Sequence, residues 1–487
     1  MSRWIRRIRS QRFMGFQFSD LHHPRPGRSG KRLLFAFLLL PSTLSVSYGW
    51  AAVLFADANL SSDCTTGNYS LAKRDCSGSD GKAYSTIQKA ANVVSPGDTV
   101  QVRAGQYRER LSIVASGTAS SYITFRNHPA ERPLIDGQKT LPSGNGLIFL
   151  NNKAYVQIIG LAIVNSKYYG VQASGGSHHI LVQDCEVMYS DHGGMVFDGG
   201  SNVTIDNCDV HHNNDLGPSA WNEAITLNGV NTFEVKNSRV HNNKEEGIDA
   251  KYGASNGKIY NNKVYENNGP NIYVDAASGI DIYNNVVYNT LGSKAGIGLS
   301  VETTYNTGNY PTTNIRIFNN LIYNNYAGIW FWIESIASFT YFENIEIVNN
   351  VIYGSTSWGG ITFLNGGTNE YRGNLVCRNN MFWNNAGGSV QGTQVSKFTV
   401  DHNLFKSGDS IYGTNYITTN DVGWIDAANH DFHLQASSPA RDKGSTSAAP
   451  SFDFDGITRP QGIGVDIGAF EFATGSPAPP SNLRSLP

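Results

Sequence analysis

The chain has 487 residues, a formal net charge of -2, 51 glycines and a charged fraction of only 16%, against about 25% in average soluble domains. A hydrophobic fraction of 40% and a mean hydropathy of -0.30 exclude a polytopic membrane protein and argue against disorder. Abundant glycine and few charges disfavour a helical bundle and predict a β-rich chain with many turns.

Residues 1–52 predict an export signal with a long basic region. Residues 1–32 carry nine basic side chains and one acid, a net of +8, so the remaining residues carry about -10. The apolar run at 33–40 leads through small residues to a cleavage site after Ala52 or Ala56. An uncleaved anchor is the alternative, although this run is short for a membrane span. We expect a bacterial protein that is secreted and free of the membrane after signal removal.

The positions of the cysteines are consistent with an exported protein. Cys64 and Cys76 flank a polar loop and can pair outside the cytoplasm. Cys185 and Cys208 occupy matching places in a repeat, which predicts stacked buried thiols. No cysteine and histidine spacing is typical of a zinc site, and no motif indicates nucleic-acid binding.

Residues 53–145 predict an N-terminal cap and the first coils of a solenoid. A solenoid must cover its end, because the terminal coil otherwise exposes unpaired strand edges. A short helix that stops at Pro96 and precedes the first strand, predicted at 99–102, can do this. Its apolar face is predicted from Ile87, Ala90 or Ala91, and Val94.

Residues 146–410 carry loose internal repeats. One unit is an alternating apolar segment with a polar pair, as in KIYNNKVY, DIYNNVVY and RIFNNLIY, and a second short strand follows, as in GIDAK and NIYVD. The shortest repeat of about 23 residues, without a helical pattern, predicts an all-β, right-handed parallel β-helix. The asparagine pairs are expected in tight turns, stacked along the coil axis.

The end of the chain does not repeat. Residues 411–472 predict a C-terminal cap, and residues 473–487 form a Pro/Ser-rich linker tail. We expect one β-helical domain and a monomer.

The second strand of each coil brings charged side chains to one outer face. Side chains alternate along a strand, so Asp249 and Lys251 point outward where Ile248 and Ala250 point inward. Rungs stack about 4.8 Å apart, which places Lys251 beside the outward Asp275. Like charges stacked so closely repel, and a bound cation such as Ca²⁺ or a catalytic role explains their presence. Further members of this face are Asp215, Glu223, Glu245, Glu246, Glu302, Trp330 and Trp332.

The segment EEGIDAK at 245–251 resembles the DGFAxK strand of the family 9 pectate lyases, with matches at Glu246, Gly247 and Lys251. The resemblance implies a secreted polysaccharide lyase that cleaves an acidic, uronate-containing polymer by β-elimination, with Lys251 as the Brønsted base and Ca²⁺ as cofactor. The residues of this face expected as metal ligands are Asp215, Glu223, Glu246 and Asp249. Those expected to bind substrate are Tyr273, Asp275, Glu302, Trp330 and Trp332.

Two other functions stay open. Asp275 with either Asp249 or Glu246 can serve as the paired carboxylates of a glycoside hydrolase on the same scaffold. The motif set of polygalacturonases (Asn-Thr-Asp, Asp-Asp and Gly-His-Gly) is absent. The outward aromatic side chains can instead be sugar platforms of a non-catalytic carbohydrate-binding surface protein: Tyr273, Trp330 and Trp332.

Overall fold

A computed structural model describes residues 51–220 and 222–473. Nearly all of the predicted export signal and of the linker tail lies outside the described residues. Within the described ranges, no helix has the length and apolar character needed to cross a bilayer. The architecture is all-β, a right-handed parallel β-helix, which confirms the predicted fold class.

The strands are short and numerous. The first ten are β1 (Val53–Ala56), β2 (Lys82–Tyr84), β3 (Thr99–Val102), β4 (Gln106–Tyr107), β5 (Leu111–Ser112), β6 (Ile123–Asn127), β7 (Leu134–Asp136), β8 (Gly146–Asn151), β9 (Ala154–Ile159) and β10 (Ala162–Val164). The next ten are β11 (Tyr169–Ser174), β12 (His178–Gln183), β13 (Glu186–Met188), β14 (Met195–Asp198), β15 (Ser201–Asp206), β16 (Asp209–His211), β17 (Ile225–Asn228), β18 (Asn231–Lys236), β19 (Arg239–His241) and β20 (Ile248–Lys251). Then follow β21 (Ser255–Tyr260), β22 (Lys263–Tyr265), β23 (Ile272–Asp275), β24 (Ser278–Tyr283), β25 (Val286–Tyr288), β26 (Ala295–Val301), β27 (Thr312–Phe318), β28 (Leu321–Tyr323), β29 (Ala327–Ile333) and β30 (Phe342–Val348). The last are β31 (Val351–Tyr353), β32 (Ile361–Leu364), β33 (Tyr371–Arg378), β34 (Met381–Trp383), β35 (Val390–Gln391), β36 (Thr399–Asp401), β37 (Leu404–Lys406), β38 (Ile417–Thr419), β39 (Trp424–Asp426) and β40 (Asp431–Leu434).

Each coil from β3 to β35 gives one strand to each of three long parallel sheets. Sheet I has 14 strands in the order β2-β1-β3-β6-β9-β12-β15-β18-β21-β24-β27-β30-β33-β36. Sheet II has 13, in the order β38-β37-β34-β31-β28-β25-β22-β19-β16-β13-β10-β7-β4. Sheet III has 11, in the order β35-β32-β29-β26-β23-β20-β17-β14-β11-β8-β5. The longer repeats place their extra residues in loops between strands, as at 302–311 and 334–341.

The asparagine pairs fix one corner of the coil, as predicted. The first residue of each pair has a left-handed backbone, with φ of 57° at Asn261 and 53° at Asn284. The second residue is buried in a ladder, where the amide of Asn262 donates to Asn285 and that of Asn285 to Asn320, both at 3.0 Å. Each rung therefore satisfies the side-chain amide of the rung before it.

The N-terminal end is covered by the predicted helix, α1 (Ile87–Ala91), whose Thr86 side chain caps it by accepting from the amide of Lys89. Ile87, Ala90 and Ala91 are fully buried. The strand at 99–102 is not the first strand, because β1 lies beside it in sheet I. The four apolar residues of β1 are too few to separate from the adjoining signal by pattern alone.

The cysteines lie as predicted. Cys64 and Cys76 form a disulfide in the N-terminal cap. Cys185 and Cys208 are free and buried on adjacent rungs, and burial raises the pKa of the Cys208 thiol. Both pairs therefore have structural positions away from sheet III.

The segment 411–472 packs along the flank of the coils rather than simply closing their end. Within this segment, β39 and β40 form an antiparallel pair, and a short 3-10 helix lies at Ala427–Asn429. Two further short 3-10 helices lie elsewhere in the chain, at Gly217–Ser219 and Thr393–Lys397. The ring of His430 stacks on Tyr323 at 4.0 Å, and Asn349 donates to the carbonyl of Asp466 at 3.0 Å. The apolar residues of this segment thus cover sheet II. On sheet III the hydroxyl of Tyr412 donates to the carbonyl of Val390, in the last strand, at 3.2 Å.

Candidate functional site

Two outward columns of side chains cross sheet III in the predicted register. One column reads, in rung order, Asp198, Asn228, Lys251, Asp275 and Ser300. Its neighbour reads Val196, Thr226, Asp249, Tyr273 and Gly298. The pairing confirms the strand register on which the predicted site depends.

Lys251 lies at the centre of these columns and forms a close ion pair. Its Nζ is 2.6 and 2.7 Å from the two carboxylate oxygens of Glu223 and 3.4 Å from Oδ2 of Asp249. Thr226 donates its hydroxyl to Glu223 at 2.8 Å and so orients that carboxylate. The exposed fraction of Lys251 is only 8% and that of Asp249 only 2%, so the pair is largely withdrawn from water.

A second carboxylate pair lies on the next rungs. Oδ1 of Asp275 accepts from the hydroxyl of Ser300 and from the amide of Glu302, both at 2.8 Å. Glu302 in turn accepts from the hydroxyls of Tyr252 and Tyr273 at 3.0 and 3.1 Å. Tyr252 was not predicted as a site residue. The feature of the sequence that points to it is its position directly after Lys251.

Two carboxylate oxygens in the cluster are buried without a partner. Oδ1 of Asp249 and Oδ2 of Asp275 have no hydrogen bond to any described residue. Buried polar atoms are normally satisfied, because leaving one unpaired costs about 1–3 kcal/mol. The arrangement therefore offers two oxygen ligands to an incoming donor or cation.

The electrostatics of the cluster follow from burial and from charge crowding. Burial, and then Glu223, raises the pKa of Glu246 to about 7, while burial and Glu302 raise that of Asp275 to about 7. Burial raises the pKa of Asp249 well above its usual range. Burial lowers the pKa of Lys251, but Glu223 and Asp249 outweigh this and raise it above its ordinary value. The lysine is thus the cation of the site.

The structure does not bring every predicted residue to this cluster. The carboxylate of Asp215, predicted as a metal ligand, is paired with Lys139 at 2.7 Å and with Lys244 at 3.3 Å. The reason is the path of the long turn after β16, which the repeat pattern does not define. The carboxylate of Asp215 is therefore engaged by two lysines, and its role as a metal ligand stays a prediction.

The predicted aromatic residues lie beyond Asp275 on sheet III. Trp330 is two rungs after Tyr273, with Gly298 between them. A Cβ at Gly298 would come within 2.5 Å of Trp330 and 2.7 Å of Tyr273. The absence of a side chain at this position therefore leaves room for both rings. Trp330 and Tyr273 are buried, while Trp332 is half-buried.

One compact group of metal-ligating side chains exists among the described residues, and it lies on sheet II. Glu186, Asp209 and His211 each offer an atom within 4.8 Å of the others. Arg132 pairs with Glu186, and Arg239 pairs with Asp209. The acidic charges there are already paired with arginine. On sheet III, by contrast, the single ammonium of Lys251 pairs with Glu223 and Asp249.

Comparisons with known proteins agree on the fold. A model described as "Pel9A-like, right handed beta helix region" matches residues 71–224, and one described as "Right handed beta helix region" matches residues 220–368. "Uncharacterized protein YwoF" of Bacillus subtilis (strain 168) is 29% identical over 419 residues, covering 74% of this chain and 78% of its own.

The solved structure of pectate lyase Pel9A shares this architecture. The pectate lyase Pel9A is 14% identical, with a TM-score of 0.52 over 87% of this chain and 97% of its own. The complex of XylC with xylose is 10% identical, with a TM-score of 0.48 over 87% of this chain and 98% of its own. The chain thus resembles pectate lyase Pel9A in its right-handed β-helix, as predicted.

Proposed function

We propose that this protein is a secreted polysaccharide lyase that cleaves a uronate-containing polymer by β-elimination. The observation that supports it best is Lys251, held among buried carboxylates on the outer side of sheet III with its Nζ 2.6 Å from Glu223. The matching Pel9A-like family model and the fold shared with pectate lyase Pel9A point the same way. The expected substrate is an acidic polysaccharide outside the cell, and the expected working form is a monomer.

The reaction requires a base and a means of stabilising negative charge. Removal of the proton α to the uronate carboxylate leaves its electron pair on carbon, which forms a C=C bond as the 4-linked oxygen departs. Lys251 is the residue proposed to accept that proton at Nζ. General bases of this kind typically contribute 10²–10⁴-fold to the rate.

Lys251 acts as a base only when its amine is neutral. Glu223 and Asp249 favour the ammonium form, since opposite charges within a few ångström stabilise it. Engagement of these two carboxylates by another positive charge removes that stabilisation and lowers the pKa of Lys251. The ion pair is thus the resting arrangement of the proposed base.

The carboxylates have the chemistry that a calcium ion requires. All of them are oxygen donors, and Oδ1 of Asp249 and Oδ2 of Asp275 are buried without partners among the described residues. Glu223, Glu246, Asp249 and Asp275 are the residues proposed to hold it. Bound Ca²⁺ supplies Lewis-acid neutralisation of the uronate carboxylate.

The proposal is tested by a substrate panel. The protein is incubated with pectate, alginate and glycosaminoglycans, with and without EDTA, and unsaturated uronate ends are measured by ultraviolet absorbance. We expect unsaturated ends with at least one acidic polymer and loss of the signal in EDTA. If no polymer yields unsaturated ends, the proposal that the protein is a lyase is contradicted.

One observation favours a second candidate, a glycoside hydrolase. The pKa of Asp275 and that of Glu246 are both raised to about 7, which allows one carboxyl to be protonated while another is ionised. Such a pair can serve as the acid and the base or nucleophile of hydrolysis. New reducing ends without unsaturation in the same panel identify this reaction.

A further inference from the structure

A groove runs along the outer face of sheet I, separate from the carboxylate cluster on sheet III. Its volume is about 440 Å³, and it extends from Tyr122 at one end to Glu234 at the other. Its floor lies over Ile180, Val203 and Phe233, whose side chains are buried. The groove is thus a depression in the middle of a sheet face and not a gap at the end of the coil.

Two columns of side chains form the walls of the groove. The first wall, in rung order on β9, β12, β15 and β18, is Gln157, Leu181, Thr204 and Glu234. The second wall consists of residues with a left-handed backbone that directly precede the floor residues: His179, Asn202 and Thr232. At about 4.8 Å for each rung, the first wall spans about 14 Å parallel to the coil axis. The shape therefore suits a linear ligand that lies along this axis.

The groove is open to solvent, unlike the cluster around Lys251. Asn202 is exposed, and Tyr122, Gln157 and Thr204 are partly exposed. Within the described ranges, the hydroxyls of Tyr122 and Thr204 form no hydrogen bond with another residue. The side-chain oxygen of Gln157 accepts from the hydroxyl of a neighbouring threonine at 3.1 Å, while its amide group donates to no described residue. These polar groups can therefore bind a ligand from solution.

Aromatic rings lie together at one end of the groove. Tyr122 contacts Tyr155 edge-on, with ring centres 5.4 Å apart, and Tyr155 stacks on His179 at 4.6 Å. Burial and the neighbouring His178 lower the pKa of His179, so its imidazole is neutral at pH 7 and can both donate and accept. This end thus offers apolar ring surface beside hydrogen-bonding groups.

The groove has little charge with which to bind an ion. Glu234 is the one carboxylate among the described lining residues, and it is paired with Lys236 at 2.8 Å. Glu234 also accepts from the hydroxyl of Tyr260 at 3.2 Å. No lysine or arginine is among the described residues that line the groove. An acidic polymer therefore finds no cation here to pair with its carboxylates.

The backbone of this face is already engaged within sheet I. β12 pairs with β9 and β15, and β15 pairs with β18. A peptide that binds by strand addition needs a free sheet edge, so recognition in this groove depends on side chains. Hydroxyl, amide and imidazole groups beside an aromatic ring match a ligand with many hydroxyls and an apolar C–H face. A neutral sugar has this chemistry.

We propose that the groove on sheet I binds a neutral polysaccharide chain parallel to the coil axis. The ring of Tyr122 packs against the apolar face of a sugar, and Gln157 and Thr204 bind sugar hydroxyls. This inference goes beyond the proposed function and does not depend on it, because the groove and Lys251 lie on different sheets and share no residue.

The test is affinity electrophoresis of the protein in gels that contain a soluble glucan, xylan, galactan or mannan, with polygalacturonate as the acidic comparison. The variants are Tyr122→Ala, which removes the ring, and Thr204→Val, which removes a hydroxyl and keeps the shape. Thr399→Val is the matched control, because Thr399 is exposed and lies in the same outward column seven strands further along sheet I, outside the groove. Tyr305→Ala is the control for loss of an exposed ring, since Tyr305 lies in the loop 302–311. Melting curves establish that each variant is folded.

Retardation of the wild type by at least one neutral polysaccharide is expected. Thr204→Val is expected to bind that polysaccharide about fivefold more weakly and Tyr122→Ala about tenfold more weakly, while both controls remain close to wild type. Lys251→Ala is expected to bind it as the wild type does, whether or not the protein is a lyase.

The inference is overturned if no neutral polysaccharide retards the wild type, or if Tyr122→Ala and Thr204→Val bind unchanged. It is also overturned if Thr399→Val weakens binding as much as Thr204→Val does. An effect of Thr204→Val on polygalacturonate alone overturns it as well, because the groove would then hold an acidic chain.

Discussion

The ammonium nitrogen of Lys251 is held by both carboxylate oxygens of Glu223, at 2.6 and 2.7 Å, although the two residues are 28 positions apart in sequence. Both side chains are nearly buried, with exposed fractions of 10% and 12%. A buried pair of this kind is strongly destabilised when one partner is removed, because the other charge remains without compensation. The pair therefore gives a stability test that is independent of any substrate.

Lys251→Met is expected to lower the free energy of unfolding by about 3–5 kcal/mol at neutral pH, because it leaves Glu223 and Asp249 without their cation. Urea denaturation measures the change. Adding Glu223→Gln to Lys251→Met is expected to recover part of the loss. Lys258→Met is the control, since Lys258 is exposed on sheet I. A loss no larger than that of the control contradicts the pairing.

The raised pKa of Asp275 predicts how stability depends on pH. Its folded pKa of about 7 exceeds the unfolded value of about 4, so the folded state binds more protons between these pH values. Stability therefore falls as pH rises from about 4 to 7 and then levels off. Asp275→Asn removes this contribution and is expected to gain about 1 kcal/mol or more relative to wild type above pH 7.

Thermal melting in EDTA between pH 4 and 8 measures the slope. Asp184→Asn is the control, because Asp184 is exposed and asparagine occupies the equivalent turn position of other coils. Parallel profiles for wild type and Asp275→Asn would show that the carboxyl of Asp275 titrates normally.

Calcium is expected to raise the melting temperature of the wild type. A ligand that binds only the folded state adds about 2.7 kcal/mol at a concentration 100 times its Kd. Asp249→Asn is expected to lose most of this gain, since it replaces one oxygen of a buried, unsatisfied carboxylate by an amide. Asp184→Asn is again the control, and an equal calcium effect in both variants excludes Asp249 as a ligand.

The asparagine ladder is expected to be essential for the coil. The side-chain oxygen of Asn320 accepts from the backbone amide and from the side-chain amide of Asn285. The side-chain amide of Asn320 donates to the side-chain oxygen of Asn350. Asn320→Ala leaves several buried groups unpaired and is expected to cost more than about 2 kcal/mol. Asn268→Ala is the control, because Asn268 is exposed. Equal denaturation midpoints for the two variants would contradict a structural role for the ladder.

The fold and the strand register could be predicted from sequence because both follow from periodicity. The period of two along a strand determines which side chains point outward from the coil. The repeat of about 23 residues determines which of these outward side chains are neighbours on adjacent rungs. Asp249, Lys251 and Asp275 were therefore placed correctly in their columns.

Side-chain partners could not be predicted in the same way. The columns place Lys251 beside Asp275, but its rotamer directs Nζ to Glu223, which lies before a strand. Asp249 and Asp275 belong to the outward columns that the alternation predicts, yet both are buried, since Glu302 and two tyrosines lie around them. The ion pairs of Asp215 with Lys139 and Lys244 could not be predicted, because a long turn has no period from which its path can be read.

The most direct test of the proposed role of Lys251 is product analysis by mass spectrometry with the acidic polymer that the wild type degrades. Wild type and Lys258→Ala are expected to release oligomers with unsaturated uronate ends, while Lys251→Ala, verified as folded, releases none above background. Unsaturated products from Lys251→Ala at the wild-type rate, or saturated reducing oligomers from the wild type, contradict a lyase with Lys251 as its base.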